Sequence, residues 1–510
     1  MGNNCCGKQE VIEIDSARST TGSSNRNSSI LFEKFSKQTD YRKKYEYIQM
    51  LGSGSFGKIR LYVDKKCKSL RYAIKTLKKD YFNKHVLDSI EREVDILRSL
   101  DHPNIVKYFE TYEDDNFIHI VMEYIPGDNL FKIISNKKYF KFTEKEICQI
   151  ITCLLKAVLF LHHNNIVHRD IKPENILFSV PRDFNALKLI DFGLSIEKNA
   201  RNENRRVGTP YYMSPEMIHG NFVYESDMWS IGVILFILVT GKQPFRAHDK
   251  EGVFEKILSG KYDKKSLDKS KCSNELKDLI KKALIKDYKK RISVDSALKH
   301  KWFSMFEDNK NDYKIIDQDI LDSLQNFQYT NILQKETFYY LAKLSNDKEI
   351  LKLKKAFDII DKDNSGEIEY EEIPKIFEEL GIQASEQELK NIFNSLDFHC
   401  DGKVNYSEFL AGTISSIKTY KEDKLYSAFK YFDVNDEDFI TCDSIISALK
   451  ENNVAVDEMG LIDFFNKRKL KKINFELFKT LVLAKNVGEE NIKRFRTKSM
   501  TIQTDNTIDD

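Results

Sequence analysis

The chain has 510 residues, 41% of them hydrophobic, which is enough apolar surface for about three domains with real cores and excludes a wholly disordered chain. Its 81 basic and 79 acidic side chains nearly cancel to a formal +2, so the protein lacks the field of one that coats nucleic acid, and no nucleic-acid partner is expected. Eight cysteines with one adjacent pair and no C-x-x-C run argue against a disulfide scaffold or a zinc site and fit a reducing, intracellular setting.

Residues 1–44 are rich in Ser and Asn without an apolar period and read as a flexible leader. The opening Met1-Gly-Asn-Asn-Cys-Cys6 exposes Gly2 once Met1 is removed, the pattern of N-myristoylation, although Cys6 stands where Ser or Thr is usual. One acyl chain holds a membrane only marginally, so Cys5 and Cys6 are candidates for a second, palmitoyl anchor. The expected location is the cytoplasmic face of a membrane. The longest strongly apolar run, Trp229 to Thr240, is far shorter than the ~20 residues a bilayer needs, so no span is expected.

From Tyr45 to Trp302, β-like runs (Tyr47 to Leu51, Lys58 to Val63, Arg71 to Thr76, Phe117 to Tyr124) give way to long helical segments. A small sheet-rich lobe followed by a larger helical lobe is implied. Leu51-Gly-Ser-Gly-Ser-Phe-Gly57 sets G-x-G-x-x-G between two of these strands, where backbone N–H groups could approach phosphates. Taken alone it reads equally well as a tight turn, and the lack of a following helix counts against a dinucleotide-binding fold. Lys75 lies on a buried-looking strand where an ammonium needs a partner, and Glu93, in the helical run Ile90 to Leu100, is a candidate. His168-Arg-Asp-Ile-Lys-Pro-Glu-Asn175 follows, and Asp191-Phe-Gly193 begins sixteen residues beyond Asn175. Phosphoryl transfer needs oxygen ligands for metal, a carboxylate for the attacking hydroxyl and cations on the developing charge. Asn175 and Asp191 suit magnesium, Asp170 suits the hydroxyl, and Lys172 can reach the transferring phosphate.

With these motifs in this order, residues from about Tyr45 to Phe303 resemble the eukaryotic protein kinases. The resemblance implies a bilobed α+β fold, ATP and magnesium, with Leu51, Gly52, Ser53, Gly54, Ser55, Phe56, Gly57, Lys58, Ile59, Lys75, Glu93 and the hinge residue Glu123 around the nucleotide. It also implies Met122 as gatekeeper, Ser214-Pro-Glu216 as the end of the activation segment, a Glu216–Arg291 pair, and Asp227 as a brace for the catalytic loop. Ser214 stands where Ala is usual. Between Ser195 and Thr209 there is no Ser, Thr or Tyr, so phosphorylation of that stretch is excluded as a switch, and Glu203 is offered as a substitute anion for Arg169. Lys172 with Gly208-Thr209 resembles the Ser/Thr branch. Glu174 favours protein substrates with basic residues upstream of the target, although Asn129 replaces the usual acidic partner near the ribose.

Residues 304–345 carry apolar side chains at helical spacing (Ile320, Leu324, Phe327, then Phe338, Leu341, Leu344), either as core-facing helices of the next domain or as an amphipathic element that docks elsewhere. Residues 346–485 repeat a helix, acidic loop, helix unit, divided as 346–381, 386–417, 422–453 and 455–485, before a basic tail at 486–510. The first loop matches the twelve-residue calcium pattern, with Asp361, Asp363 and Ser365 as ligands, Gly366 at the turn, the Glu367 carbonyl and bidentate Glu372. The second keeps Asp397, Asp401, Gly402, the Lys403 carbonyl and Glu408, but His399 stands where an oxygen ligand belongs, so it is read as weakened yet usable. The third has Asp438 for glycine and Ser444 for the closing Glu, and the fourth presents Arg468, Leu470 and Leu477; neither is expected to bind metal.

A kinase, an amphipathic junction and four EF-hand units in this order resemble the calcium-dependent protein kinases of plants and protists. The resemblance implies a calcium-stimulated Ser/Thr kinase, its calmodulin-like all-α domain following the kinase fold, blocked by the junction until calcium binds; a monomer is expected. The alternative is an active kinase indifferent to calcium, with the EF-hand region serving as an interaction module.

Overall fold

The computed structural model describes residues 40–483 apart from 55–56, 80–83, 137–141, 199–206, 307–315, 328–330, 346, 398, 415–421 and 452–456. Gly2, Cys5, Cys6, Ser55, Phe56, Glu203 and the basic tail therefore lie outside the described residues. The described residues divide into two compact units, the first ending at residue 310 but including 363–366, and the second beginning beyond it but including 64–70.

In the first unit, β1 (Tyr45–Gly54), β2 (Gly57–Asp64), β3 (Arg71–Lys78), β4 (Tyr108–Glu113) and β5 (Phe117–Glu123) form one sheet in the order β1-β2-β3-β5-β4. The sequence reading omits β4. It is an edge strand whose pairing with β5 slips between Tyr108 and Glu110, so its side chains do not alternate cleanly. Helix α1 (Lys84–Ser99) begins earlier than the run from Ile90 suggests. Helix α2 (Glu144–His163) starts on a capping box in which Thr143 and Glu146 satisfy each other's N–H groups. By length and composition alone α2 could cross a membrane, so Trp229 to Thr240 is not the longest apolar candidate. Its apolar surface is instead the core of this unit, with Ile150, Ile151, Leu154, Leu155, Val158 and Leu161 fully buried.

Short strands β6 (Ile166–Val167), β7 (Ile176–Phe178), β8 (Leu187–Leu189) and β9 (Ile196–Glu197) pair as β6-β9 and β7-β8. They pin both ends of the segments carrying Asp170, Asn175 and Asp191. Helix α3 (Tyr224–Thr240) is buried from Ser226 to Leu238 and stops at Gly241, whose φ of 67° glycine adopts without strain.

Beyond residue 310 the described elements are helices, joined by single β-bridges. Helices α4 (Gln318–Phe327) and α5 (Ile332–Leu344) share one apolar core with the acidic-loop helices, so the junction supplies core-facing helices here. Units one to four run α6 (Asp347–Ile360) to α7 (Glu372–Glu379), α8 (Glu386–Leu396) to α9 (Tyr406–Thr413), α10 (Glu422–Phe432) to α11 (Cys442–Glu451), and α12 (Glu458–Lys467) to α13 (Phe475–Leu483). Single β-bridges, Ile368 to Val404 and Ile440 to Ile473, join the loops two by two.

Candidate active site and calcium loops

The glycine-rich turn between β1 and β2 brings the chain close to β3. A Cβ on Gly57 would lie 2.2 Å from the Thr76 carbonyl oxygen, and its φ is 145°, so glycine is required for the two strands to pair. Leu51, Gly52, Ser53, Gly54, Lys58 and Ile59 flank it on the paired strands. Opposite Ile59 in the register stands Lys75. Its Nζ donates to Glu93 Oε1 at 2.6 Å and to Asp191 Oδ1 at 2.9 Å. Burial alone would lower this ammonium, but the two carboxylates outweigh it and hold the lysine charged, above its ordinary value. Burial likewise pushes Glu93 up, whereas Lys75 overcomes burial at Asp191 and keeps that carboxyl below its usual range.

Asp191 has a φ of 66° and Arg169 of 68°, conformations that non-glycine residues hold only where the surroundings impose them. Asp227 is what fixes the second: its Oδ2 accepts from the His168 N–H and its Oδ1 from the Arg169 N–H, both at 3.0 Å. His162 Nε2 lies 2.9 Å from the same carboxylate. The Arg169 guanidinium lies 4.5 Å over the Phe222 ring and donates to the Leu194 carbonyl.

Within this brace Lys172 Nζ donates to Asp170 Oδ2 at 2.6 Å and to Thr209 Oγ1 at 3.0 Å, while Thr209 donates to Asp170 Oδ1 at 2.8 Å. Asp170, Lys172 and Thr209 thus form a closed triangle. The Asn175 amide nitrogen donates to the Asp170 carbonyl at 2.9 Å, which assigns its oxygen to any cation. Glu216 and Arg291 pair through two bonds of 2.6 and 3.0 Å. Ser214, in the place usual for Ala, caps the short helix Pro215–Ile218 by accepting from the Met217 N–H at 3.3 Å. Glu123 spends its N–H on the Lys107 carbonyl at 2.9 Å, so its own carbonyl is what an adenine could meet. Asn129 accepts from the Lys132 N–H at 2.8 Å as a helix cap.

In the first acidic loop, Asp361, Asp363 and Glu372 each bring a carboxylate oxygen to within 4.8 Å of the others. Glu372 is held by the Lys362 N–H at 2.7 Å and the Glu369 N–H at 3.1 Å, while Gly366 makes the turn at φ 85°. Three hard oxygen donors around one point, at loop positions one, three and twelve, fit calcium. The side chain of Ser365 belongs to the same loop, and its N–H donates to Asp363 Oδ1 at 2.9 Å.

The second loop differs in a way the sequence reading missed. His399 Nδ1 lies 2.6 Å from Glu408 Oε1, so the imidazole occupies the carboxylate that should close on the ion. Burial would lower His399, but Glu408 raises it above its ordinary value. Asp397 accepts from the N–H groups of Asp401 and Gly402 at 3.1 and 3.0 Å, and the Lys403 ammonium meets Glu367 of the first loop at 2.8 Å.

A sheet lobe with a glycine-rich turn, an Asp-Lys-Thr triangle on a braced loop and a carboxylate-lined EF-hand loop define a serine/threonine protein kinase that carries its own calcium-binding module. The protein kinase domain family matches residues 45–303 and the EF-hand domain pair residues 350–414. Calcium-dependent protein kinase 19 of Oryza sativa subsp. japonica is 35% identical over 418 residues, covering 81% of this chain and 77% of its own. Calcium-dependent protein kinase 4 of Plasmodium falciparum (isolate 3D7) is 34% identical over 478 residues, 89% and 86% of the two chains. Calcium-dependent protein kinase 7 of Arabidopsis thaliana is 31% identical over 481 residues, 92% and 89%. The chain belongs to the calcium-dependent protein kinases and is a calcium-regulated kinase acting on serine and threonine of protein substrates.

Proposed function

We propose that calcium regulates this kinase by moving its junction, about Glu307 to Ser345: at rest the segment occludes the active site, and calcium at the first two loops draws it away. The burial of α4 and α5 in one core with the calcium-loop helices carries the reading. Phe327, Leu333, Phe338 and Leu341 are almost inaccessible there, so the junction has to respond when those helices rearrange. Calcium shifts the population only if it binds the released state more tightly; a coupling of about 1–3 kcal/mol corresponds to roughly 5–150-fold.

In the catalytic centre Asp170 orients the substrate hydroxyl and accepts its proton, and Lys172 steadies the transferred phosphoryl group. The backbone from Leu51 to Ile59 cradles the nucleotide phosphates with Lys75, which Glu93 positions. Asn175 and Asp191 fit magnesium, since an amide oxygen and a carboxylate kept ionised are hard donors; the ion would supply positive charge against the phosphates. Glu174 selects basic residues upstream of the target, now without help from Asn129. The protein acts as a monomer on the cytoplasmic face of a membrane, held by acylation of Gly2, Cys5 and Cys6; myristate incorporation that survives Gly2→Ala would remove that part of the reading.

Peptide phosphorylation by the full chain in chelator and in micromolar calcium, for wild type and Glu372→Gln, tests the regulation. Calcium should stimulate the wild type by about tenfold or more and the variant far less. Equal rates in all four measurements would favour the kinase indifferent to calcium, a reading supported by the His399–Glu408 contact in the second loop.

A further inference from the structure

The third acidic loop, residues 433–444, closes like the second although its glycine and closing glutamate are missing. Asp433 accepts from the N–H groups of Glu437 and Asp438 at 2.9 and 3.0 Å. Asp397 does the same for Asp401 and Gly402 in the second loop. Asp438 takes a φ of 59° where Gly366 and Gly402 take 85°, a left-handed position that Asp tolerates better than most side chains.

Asp433, Asp436 and Asp438 crowd one oxygen each to within 4.8 Å of the others. Three like charges so close repel one another unless a cation sits among them. They stand at loop positions one, four and six, whereas the calcium pattern draws side-chain ligands from one, three, five and twelve. What they surround is a side chain of the incoming helix, and Lys66 also meets Asp436 from outside the loop. Lys430, on the last turn of α10, places Nζ 2.6 Å from Asp433 Oδ2, 2.6 Å from Asp436 Oδ1 and 2.9 Å from Asp438 Oδ1. The lysine side chain is only 7% exposed. Burial would lower this ammonium, but its hydrogen bonds to the three aspartates outweigh burial and raise it. An ammonium has three N–H donors, one for each carboxylate.

We propose that Lys430 is a built-in substitute for the ion of the third loop: its ammonium holds the loop closed with or without calcium, so that the last two units form a constitutive platform and calcium sensing is confined to the first two. A tethered cation does not have to be captured from solution, which is why this loop tolerates the loss of its closing glutamate. The fixed loop in turn supports the fourth, which has no acidic ligands of its own, through the reciprocal Ile440–Ile473 hydrogen bonds of 2.9 Å. The confinement of sensing rests on the calcium control proposed above. The lysine's role in the loop does not, and its test reads stability and ion count rather than phosphorylation.

The test is thermal unfolding and equilibrium calcium binding of the full chain, for wild type, Lys430→Met, Lys430→Arg and Asp438→Asn. In chelator, Lys430→Met should lower the unfolding temperature of the second unit by about 5 °C or more, and Lys430→Arg by less. Millimolar calcium should restore part of that loss in Lys430→Met, because Asp433 and Asp438 are then open to an external cation while Asp436 keeps its contact with Lys66. Asp438→Asn, which retains the lysine, should bind as many calcium ions as wild type. An unfolding temperature for Lys430→Met equal to wild type in chelator would overturn the proposal. So would a loss that calcium does not restore, since that marks a simple ion pair, and so would one calcium fewer in Asp438→Asn, since an ion rather than the lysine would then have filled the loop.

Discussion

Glu336, on α5, shows how much a single burial decides. Its side chain is almost fully enclosed and its Oε2 finds no hydrogen-bond partner among the described residues, so burial pushes its carboxyl up to about 7 from an ordinary 4.5. Between those values the folded chain holds a proton that the unfolded chain has released, so stability falls as pH rises through the window and stays low above it. At pH about 8 the cost is on the order of 3 kcal/mol. Glu336→Gln should therefore unfold at a higher temperature than wild type at pH about 8 and lose the downward slope between about 5 and 7; parallel pH profiles for the two proteins would refute the assignment. At this scale the kinase residues were the most legible, because each chemical demand has one suitable residue type at a fixed spacing. The Lys430 cluster and the His399–Glu408 contact were not, although Lys430 stands only three residues before Asp433. Their meaning depends on how a loop closes, which spacing from a calcium pattern does not report.

At the scale of elements, strands and helices follow from period and punctuation wherever a face is buried. The strands around the glycine-rich turn were legible for that reason, and β4 was not, because an edge strand with a slipped register blurs the alternation. The turn supplies its own prediction. Gly57→Ala places a methyl 2.2 Å from the Thr76 carbonyl and at an unfavourable φ, so β2 must shift from β3 where phosphates would be cradled. The KM for ATP should rise about tenfold or more while the KM for peptide stays near wild type. An unchanged KM for ATP would remove the turn from the nucleotide site. The activation segment is a second case: Ser214 looks like a mild departure in the sequence and turns out to cap a helix, and Arg169 rests on Phe222 and Leu194.

At the scale of the whole molecule, two compact units were readable as domains, since helix–loop–helix repeats and kinase motifs occupy separate stretches. The sequence left the junction open between a core element and a docking element, because an amphipathic helix shows that it has a partner without showing which. Its helices share one core with the helices of the acidic loops, and the proposed calcium control of the junction rests on that shared packing. The most direct measurement compares, in chelator, the phosphorylation rate of the full chain with that of a chain ending at Phe306. The account predicts that the shortened chain runs about tenfold or more faster, matching the full chain in calcium, a difference of ~1.4 kcal/mol or more held in the junction. Equal rates for the two chains without calcium would contradict it.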